Sequence, residues 1–150
     1  MSDDGTARVP IPAEILALAS STLDDVDRPA WPPAPDDAPS TVRRVHALRR
    51  VPLGELTVED LRLLVGQHGA LGTSVPLALG MLRHRPLLEG DHYPGDLLMA
   101  VLHVPDEYWA QRPQELAVLR EALSRLDPDD PDHPALEDDE LTRAASRFRA

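Results

Sequence analysis

A helix with a defined start is encoded by Thr57-Val58-Glu59-Asp60-Leu61-Arg62-Leu63-Leu64-Val65. Threonine is a preferred N-cap residue, because its hydroxyl accepts a hydrogen bond from an N–H group that the first turn leaves unpaired. Glu59 and Asp60 follow in that turn, where the helix dipole favours negative charge. The residues expected to form the buried face are Val58, Leu61, Leu64 and Val65. We expect Gly69 and Gly72 to close this helix.

Helical patterns continue on both sides of this stretch. Ser40 is placed to cap a helix that Pro52 ends, with Val42, Val45 and Leu48 on its apolar side. Its arginines are expected mostly outside, namely Arg43, Arg44, Arg49 and Arg50. Further helices are predicted over residues 13–23, from Ser74 to Arg85 with Pro76 in the first turn, at 106–109, at 113–126 and at 136–148. No segment alternates apolar and polar residues as a half-buried strand does, so the pattern predicts an all-α fold.

Length and composition point to one domain. A chain of 150 residues can bury one core, and aromatic residues make up only 3% of it, so that core must consist mainly of leucine, valine and alanine. We expect a single compact helical domain of about five to seven helices. Residues 1–39 would form an N-terminal helix and an extended proline-rich segment, residues 40–126 the helical core, and residues 127–150 an acidic linker and a terminal helix.

The two flanks have unusual compositions. Five prolines surround Trp31 between Arg28 and Pro39, which favours an extended segment, and Trp31 is either its packing anchor or a binding residue. Prolines and acids alternate over residues 127–135, which predicts a linker. Beyond it, Leu141, Ala145 and Phe148 are spaced to dock on the domain.

Charge restricts the partners. The formal net charge is −11, which argues against nucleic acid and anionic membranes and suits a basic protein partner, although acidity can serve solubility alone. Residues 41–88 contain seven arginines and three acids, whereas residues 89–110 contain five acids and no arginine. Residues 127–140 contain eight acids and no base.

Sequence motifs for catalysis or metal binding are absent. The chain has no cysteine, no lysine, no phosphate-binding loop and no Gly-x-Ser-x-Gly turn. Its six histidines lack metal-ligand spacing, and Asp91, His92 and Asp96 form the one local cluster. We therefore expect no enzymatic activity, no catalytic residues, no metal and no cofactor. With neither a basic leader nor an apolar run of membrane length, the sequence predicts a cytoplasmic protein.

The loop Gly90-Asp91-His92-Tyr93-Pro94-Gly95-Asp96-Leu97-Leu98 is the most distinctive segment. Its glycines permit backbone angles closed to other residues, and its proline fixes one φ angle. We expect a shaped, negatively charged loop that enters a helix near Gly95 or Asp96, with an apolar face over residues 97–102.

From Leu48 onward, over about 60 residues, the order of motifs resembles the immunity proteins of bacterial contact-dependent growth inhibition (CDI) systems. The matching segments are 48–53, 56–67, 75–79, 89–98 and the pair Tyr108-Trp109. Gly69-Ala70-Leu71-Gly72 departs slightly from the family pattern, and the proline-rich and acidic flanks lie outside the resemblance.

The resemblance implies a small all-helical protein that binds and neutralises the toxic C-terminal domain of a secreted effector. Such toxins are often nucleases with basic clefts, which an acidic protein can approach rapidly. The residues we expect at the contact are Glu89, Asp91, Tyr93, Asp96, Asp106 and Glu107. The oligomeric state stays open.

Four alternatives stand beside this interpretation. Gly90, Pro94 and Gly95 can instead shape the loop, Asp96 can be an N-cap, and Tyr93 and Trp109 can cover the core. The arginine-bearing helices or the acidic run can make the contact. The protein can also be a helical adaptor or regulatory module, or a small metal-dependent hydrolase built on Asp91, His92 and Asp96.

Overall fold

The computed structural model describes residues 19–148, which form eight α-helices joined by short turns. Their bounds are α1 Leu23–Val26, α2 Ser40–Leu48, α3 Val58–Gly66, α4 Leu71–Leu82, α5 Asp96–Leu102, α6 Asp106–Ala110, α7 Pro113–Leu123 and α8 Glu140–Ser146. Leu53–Glu55 and Glu137–Asp139 form 3₁₀ turns. Over this range the chain has no regular strand, which confirms the all-α prediction. The eight helices described exceed the expected five to seven, since this number includes two very short helices, α1 with four residues and α6 with five.

Helix α3 lies at the centre of a single compact domain. It packs against α2, α4 and α5, while α4 also contacts α7, and α5 contacts α8. The core is dominated by leucine, with valine, alanine and the aromatic residues Trp109 and Phe148. The four predicted face residues of α3, Val58, Leu61, Leu64 and Val65, are all fully buried. Each such side chain contributes roughly 1.5–3 kcal/mol through the hydrophobic effect.

The start of α3 is the predicted N-cap. The Thr57 hydroxyl accepts the Asp60 N–H at 3.1 Å, and the Asp60 carboxylate accepts the Thr57 N–H at 3.0 Å. This reciprocal pair satisfies two N–H groups that the helix itself leaves unpaired. Asp60 also accepts a hydrogen bond from Arg44 at 3.0 Å, which ties α2 to α3.

The end of α3 corrects two predictions. Gly69 takes part in closing α3 by donating its N–H to the Leu64 carbonyl at 2.7 Å, but the left-handed positions belong to His68 and Ala70, with φ of 56° and 51°. Gly72 does not close α3 and lies inside α4. Since α4 begins at Leu71, Pro76 falls in the helix interior rather than in the first turn. An internal proline costs about 3 kcal/mol, which the largely buried surface of α4 offsets.

The N-terminal flank differs from expectation at α1 and at Arg49. Residues 13–18 of the predicted first helix lie outside the described range; Ala19–Thr22 are not helical, and the Thr22 side chain caps α1. The proline-rich segment has no helix or strand, as predicted. Arg49, expected outside, is 1% exposed.

A clamp around Arg49 holds this flank against α2. Its guanidinium donates to the Asp24 carboxylate at 2.7 Å, the Asp27 carboxylate at 3.0 Å and the Asp27 carbonyl at 2.7 Å. It also lies 4.3 Å from the ring centroid of Trp31, whose ring contacts His46 at a tilt of 57°. Trp31 therefore anchors the proline-rich segment, although 37% of the residue is exposed.

The C-terminal flank docks as predicted. Leu141, Ala145 and Phe148 are buried, and Phe148 packs edge-on against Trp109 with ring centroids 5.8 Å apart. Arg147 donates to the Val104 carbonyl at 3.1 Å and to the Asp106 carboxylate at 3.0 Å. Helix α8 thereby lies along α5, with its C-terminal end near α6. Among the described helices, none combines the length and apolarity that crossing a membrane requires.

Candidate functional site

The loop before α5 is organised around the Asp96 carboxylate. Asp96 is 4% exposed and accepts the backbone N–H groups of Gly90 at 2.7 Å, His92 at 3.0 Å and Tyr93 at 3.5 Å. Helix α5 begins at this residue, as predicted, and Glu89 and Pro94 form an isolated antiparallel bridge across the base of the loop. Asp96 therefore closes the loop on itself.

Two glycines make this closure possible. A Cβ atom at Gly90 would lie 2.7 Å from Oε1 of Glu59 and 3.0 Å from Oδ2 of Asp96, closer than van der Waals contact permits. Gly95 has a φ of 91°, in the left-handed region that residues with a side chain rarely adopt. Both glycines therefore shape the loop, as the sequence predicts.

A second carboxylate, Glu59 on α3, holds the loop from below. Glu59 accepts the Asp91 N–H at 2.9 Å and pairs with Arg62 through contacts of 2.7 and 2.5 Å. Burial alone would raise the pKa of Glu59, but hydrogen bonds from Arg62 and Asp91 and the positive charge of Arg62 outweigh it and hold that pKa below its ordinary value. Glu59 therefore stays ionised beneath the loop.

The six residues expected at the contact fall into two groups. Glu89, Asp91, Tyr93 and Asp96 come together in the loop, where Asp91 is exposed, Glu89 and Tyr93 are half-buried and Asp96 is buried. Asp106 and Glu107 are both exposed at the start of α6, at the far ends of α5 and α8 from the loop. Asp106 is already paired with Arg147. The six residues therefore do not lie on one continuous surface.

A groove opens beside the loop, between α3 and α5. Its volume is about 370 Å³, and its lining combines polar and apolar side chains, including Arg62, His92, Tyr93, Met99 and His103. Burial raises the pKa of Tyr93, and the negative charges of Asp96 and Glu140 raise it further. Helix α8 lies beside the loop, since Leu141, the residue after Glu140, comes within 3.3 Å of where a Cβ atom at Gly95 would be.

The Asp91–His92–Asp96 cluster does not form a metal site. The Asp96 carboxylate is occupied by backbone N–H groups, and among residues 19–148 no group of three or more histidine, aspartate or glutamate side chains is placed to hold a metal ion.

The comparison with known families covers well over half of the chain. Residues 25–119 match the family model of the CDI immunity proteins. The chain belongs to this family. The match extends from α1 into α7, so the proline-rich segment lies inside it, contrary to expectation, while the acidic run 127–140 lies beyond it. No curated protein and no solved structure matches this immunity protein significantly.

Sequence reasoning missed two participants of the immunity protein's loop region. The sequence indicates Glu59 only as an acid in the first turn of α3, and Glu140 only as a member of the acidic run 127–140. Both reach the loop through tertiary packing, 32 residues away in one case. The loop's acids could be found from composition, whereas these two have no local signal.

Acid should destabilise the immunity protein partly through Glu59. Because the pKa of Glu59 is lower in the folded chain than its ordinary value of 4.5, ionised Glu59 stabilises the fold fully above that pH. This contribution is lost as the pH falls through the lowered pKa. Urea unfolding from about pH 7 to about pH 3 should show a shallower acid limb for Glu59→Gln than for the wild type. Equal acid limbs would contradict a role for Glu59 ionisation.

Proposed function

We propose that this immunity protein binds a cognate CDI toxin domain stoichiometrically and neutralises it without catalysing a reaction. The family match over residues 25–119 carries the proposal. Acting inside the producing cell, it would block a toxin that enters from a neighbour. The net charge of −11 favours a toxin with a basic surface, of which a nuclease is the foremost example.

The proposed contact is centred on the loop before α5. Asp91 is exposed and its backbone is fixed through Glu59, so its carboxylate is presented without a large ordering cost. Glu89 and Tyr93 flank it, and Glu140 adds charge from α8. Asp106 and Glu107 would form a second, outlying contact. Asp96 supports the loop, so its part in binding is indirect.

The direct test uses the toxin domain encoded beside the immunity gene. Co-expression should restore growth of cells that produce this domain, and the purified proteins should form a one-to-one complex in calorimetry. Higher salt should slow association, since opposite charges accelerate encounter. Continued toxicity despite folded immunity protein, together with no complex, would contradict the proposal.

Reversing one exposed charge should weaken the complex without unfolding the protein. Asp91→Arg is expected to raise Kd by about tenfold or more and to slow association, because it places a positive charge at the centre of the proposed contact. The control is Arg43→Glu on α2, an exposed charge reversal that makes the protein more acidic. A larger loss of affinity from Arg43→Glu than from Asp91→Arg would move the interface to α2.

A further inference from the structure

The groove between α3 and α5 is lined by both apolar and polar residues. Met99 and Ala100 line it from α5, Gly66 lines it from α3, and the Tyr93 ring lies at the loop side. Its volume of about 370 Å³ is near the lower end of the roughly 300–1,000 Å³ typical of binding pockets. It can hold a side chain, although not a helix.

The charges around the groove are mainly negative. Arg62 is its one guanidinium and is neutralised by the paired Glu59 carboxylate. Asp96 lies in the lining, the exposed Asp91 precedes the lining residue His92 and donates its N–H to Glu59, and Glu140 begins α8, whose Leu141 packs at Gly95. The described residues that line the groove include Arg62, Asp96 and two histidines, His92 and His103. With Glu59 paired to Arg62, the further carboxylates of Asp91 and Glu140 beside the groove leave it with a negative balance that favours a cation.

We infer that this groove receives one basic side chain, a lysine or an arginine, from the toxin surface. The aliphatic stem would lie along Met99 and Ala100, because long basic side chains bury their methylene groups while the charged end stays among polar groups. The charged end would meet the Tyr93 ring and the carboxylates of Asp91 and Glu140. This inference rests on the proposed function and adds the chemistry of the contact.

Gly66 offers a way to fill the groove without disturbing the fold. It is the last residue of α3, it is exposed, and an added Cβ atom would meet no atom within 4 Å. Gly66→Ala should therefore fold normally, since alanine suits a helix better than glycine does. Gly66→Trp should also fold and place its ring where the toxin side chain would enter.

The test measures the affinity of the adjacent-gene toxin domain for three proteins. Gly66→Ala should keep Kd within about twofold of the wild type, and Gly66→Trp should raise it by about tenfold or more. Circular dichroism and urea unfolding confirm that both variants are folded. Unchanged affinity of Gly66→Trp, with the wild type binding, would overturn the inference and leave the proposed function intact.

A thiol probe gives an independent reading. The chain has no cysteine, so Gly66→Cys creates a single alkylation site. The toxin domain should slow maleimide labelling at position 66 by about tenfold or more, while labelling of Arg43→Cys on α2 should not change. Equal labelling of residue 66 in the free and bound proteins would also overturn the inference.

The charge of the occupant is tested by combining substitutions. If a basic side chain fills the groove, Asp91→Arg and Gly66→Trp remove the same contact, so the loss in the double variant should be smaller than the two single losses combined. An apolar occupant would make Gly66→Trp harmful and Asp91→Arg neutral, which would overturn the assignment of a basic residue. Absence of any complex with the wild type would instead refute the proposed function.

Discussion

Arg49→Ala is expected to lower the free energy of unfolding by about 2–3 kcal/mol, because it removes charge-assisted hydrogen bonds from a buried guanidinium to two carboxylates that are 14% and 44% exposed. Arg49 is 1% exposed, and its guanidinium contacts the carboxylates of Asp24 and Asp27. Alanine would leave Asp24 without its closest cation, open a cavity beside Trp31 and release the proline-rich segment from α2.

Urea unfolding followed by circular dichroism measures this loss, and Trp31 fluorescence, recorded in a Trp109→Phe background because the chain has two tryptophans, reports the release of the flank. Arg50→Ala is the control, because Arg50 is its sequence neighbour and contacts the same flank from an exposed position: its side chain is 51% exposed, lies 3.8 Å from Asp24 and donates to the Trp31 carbonyl at 3.3 Å. An exposed pair of this kind contributes about 0–1 kcal/mol. Similar losses for the two variants would show that the clamp is unimportant.

Arg49→Lys separates charge from geometry at the same position. Lysine keeps the positive charge but lacks the planar fork that contacts Asp24 and Asp27 together and lies beside the Trp31 ring. Its stability should therefore fall between those of the wild type and Arg49→Ala.

The clamp also illustrates what a single sequence cannot reveal. The α3 N-cap at Thr57, the start of α5 at Asp96 and the start of α7 at Pro113 were predictable, because their signals lie within a few residues. Arg49 looked like a solvent-exposed member of an arginine-rich helix, since its partners Asp24 and Asp27 are 25 and 22 residues away.

The turn between α3 and α4 was mispredicted for a related reason. Glycine is the usual left-handed residue, so Gly69 and Gly72 were the local choice. His68 and Ala70 adopt that conformation instead, in the turn that joins the packed helices α3 and α4. Such strain costs about 1–3 kcal/mol per residue and persists only where surrounding contacts enforce it.

The candidate site likewise has features that the sequence predicts and features that only the tertiary structure reveals. Its acids and glycines were recognisable from the loop sequence, but the roles of the acids were not. Asp91 and Asp96 are five positions apart and chemically identical, yet one is exposed and the other is 4% exposed. The two roles follow from the path of the chain, which exposes the Asp91 carboxylate to a partner and buries the Asp96 carboxylate inside the loop.

Asp96→Ala is therefore expected to destabilise the protein by about 3 kcal/mol, whereas Asp91→Ala should cost no more than about 0.5 kcal/mol. The Asp96 variant leaves the N–H groups of Gly90 and His92 without their acceptor, and a buried donor without a partner costs about 1–3 kcal/mol. Urea unfolding tests the difference, and faster hydrogen exchange at the Gly90 amide would locate it in the loop.

The same contrast decides which charge reversals are informative about the toxin. Asp96→Arg would force a longer, cationic side chain into a buried site beside three N–H donors, so lost binding would reflect a lost loop. Asp91→Arg alters the surface alone. If Asp96→Ala proved as stable as Asp91→Ala and still bound the toxin less tightly, Asp96 would be a contact residue rather than a support. Reversing both aspartates together cannot separate these outcomes, so each must be changed alone.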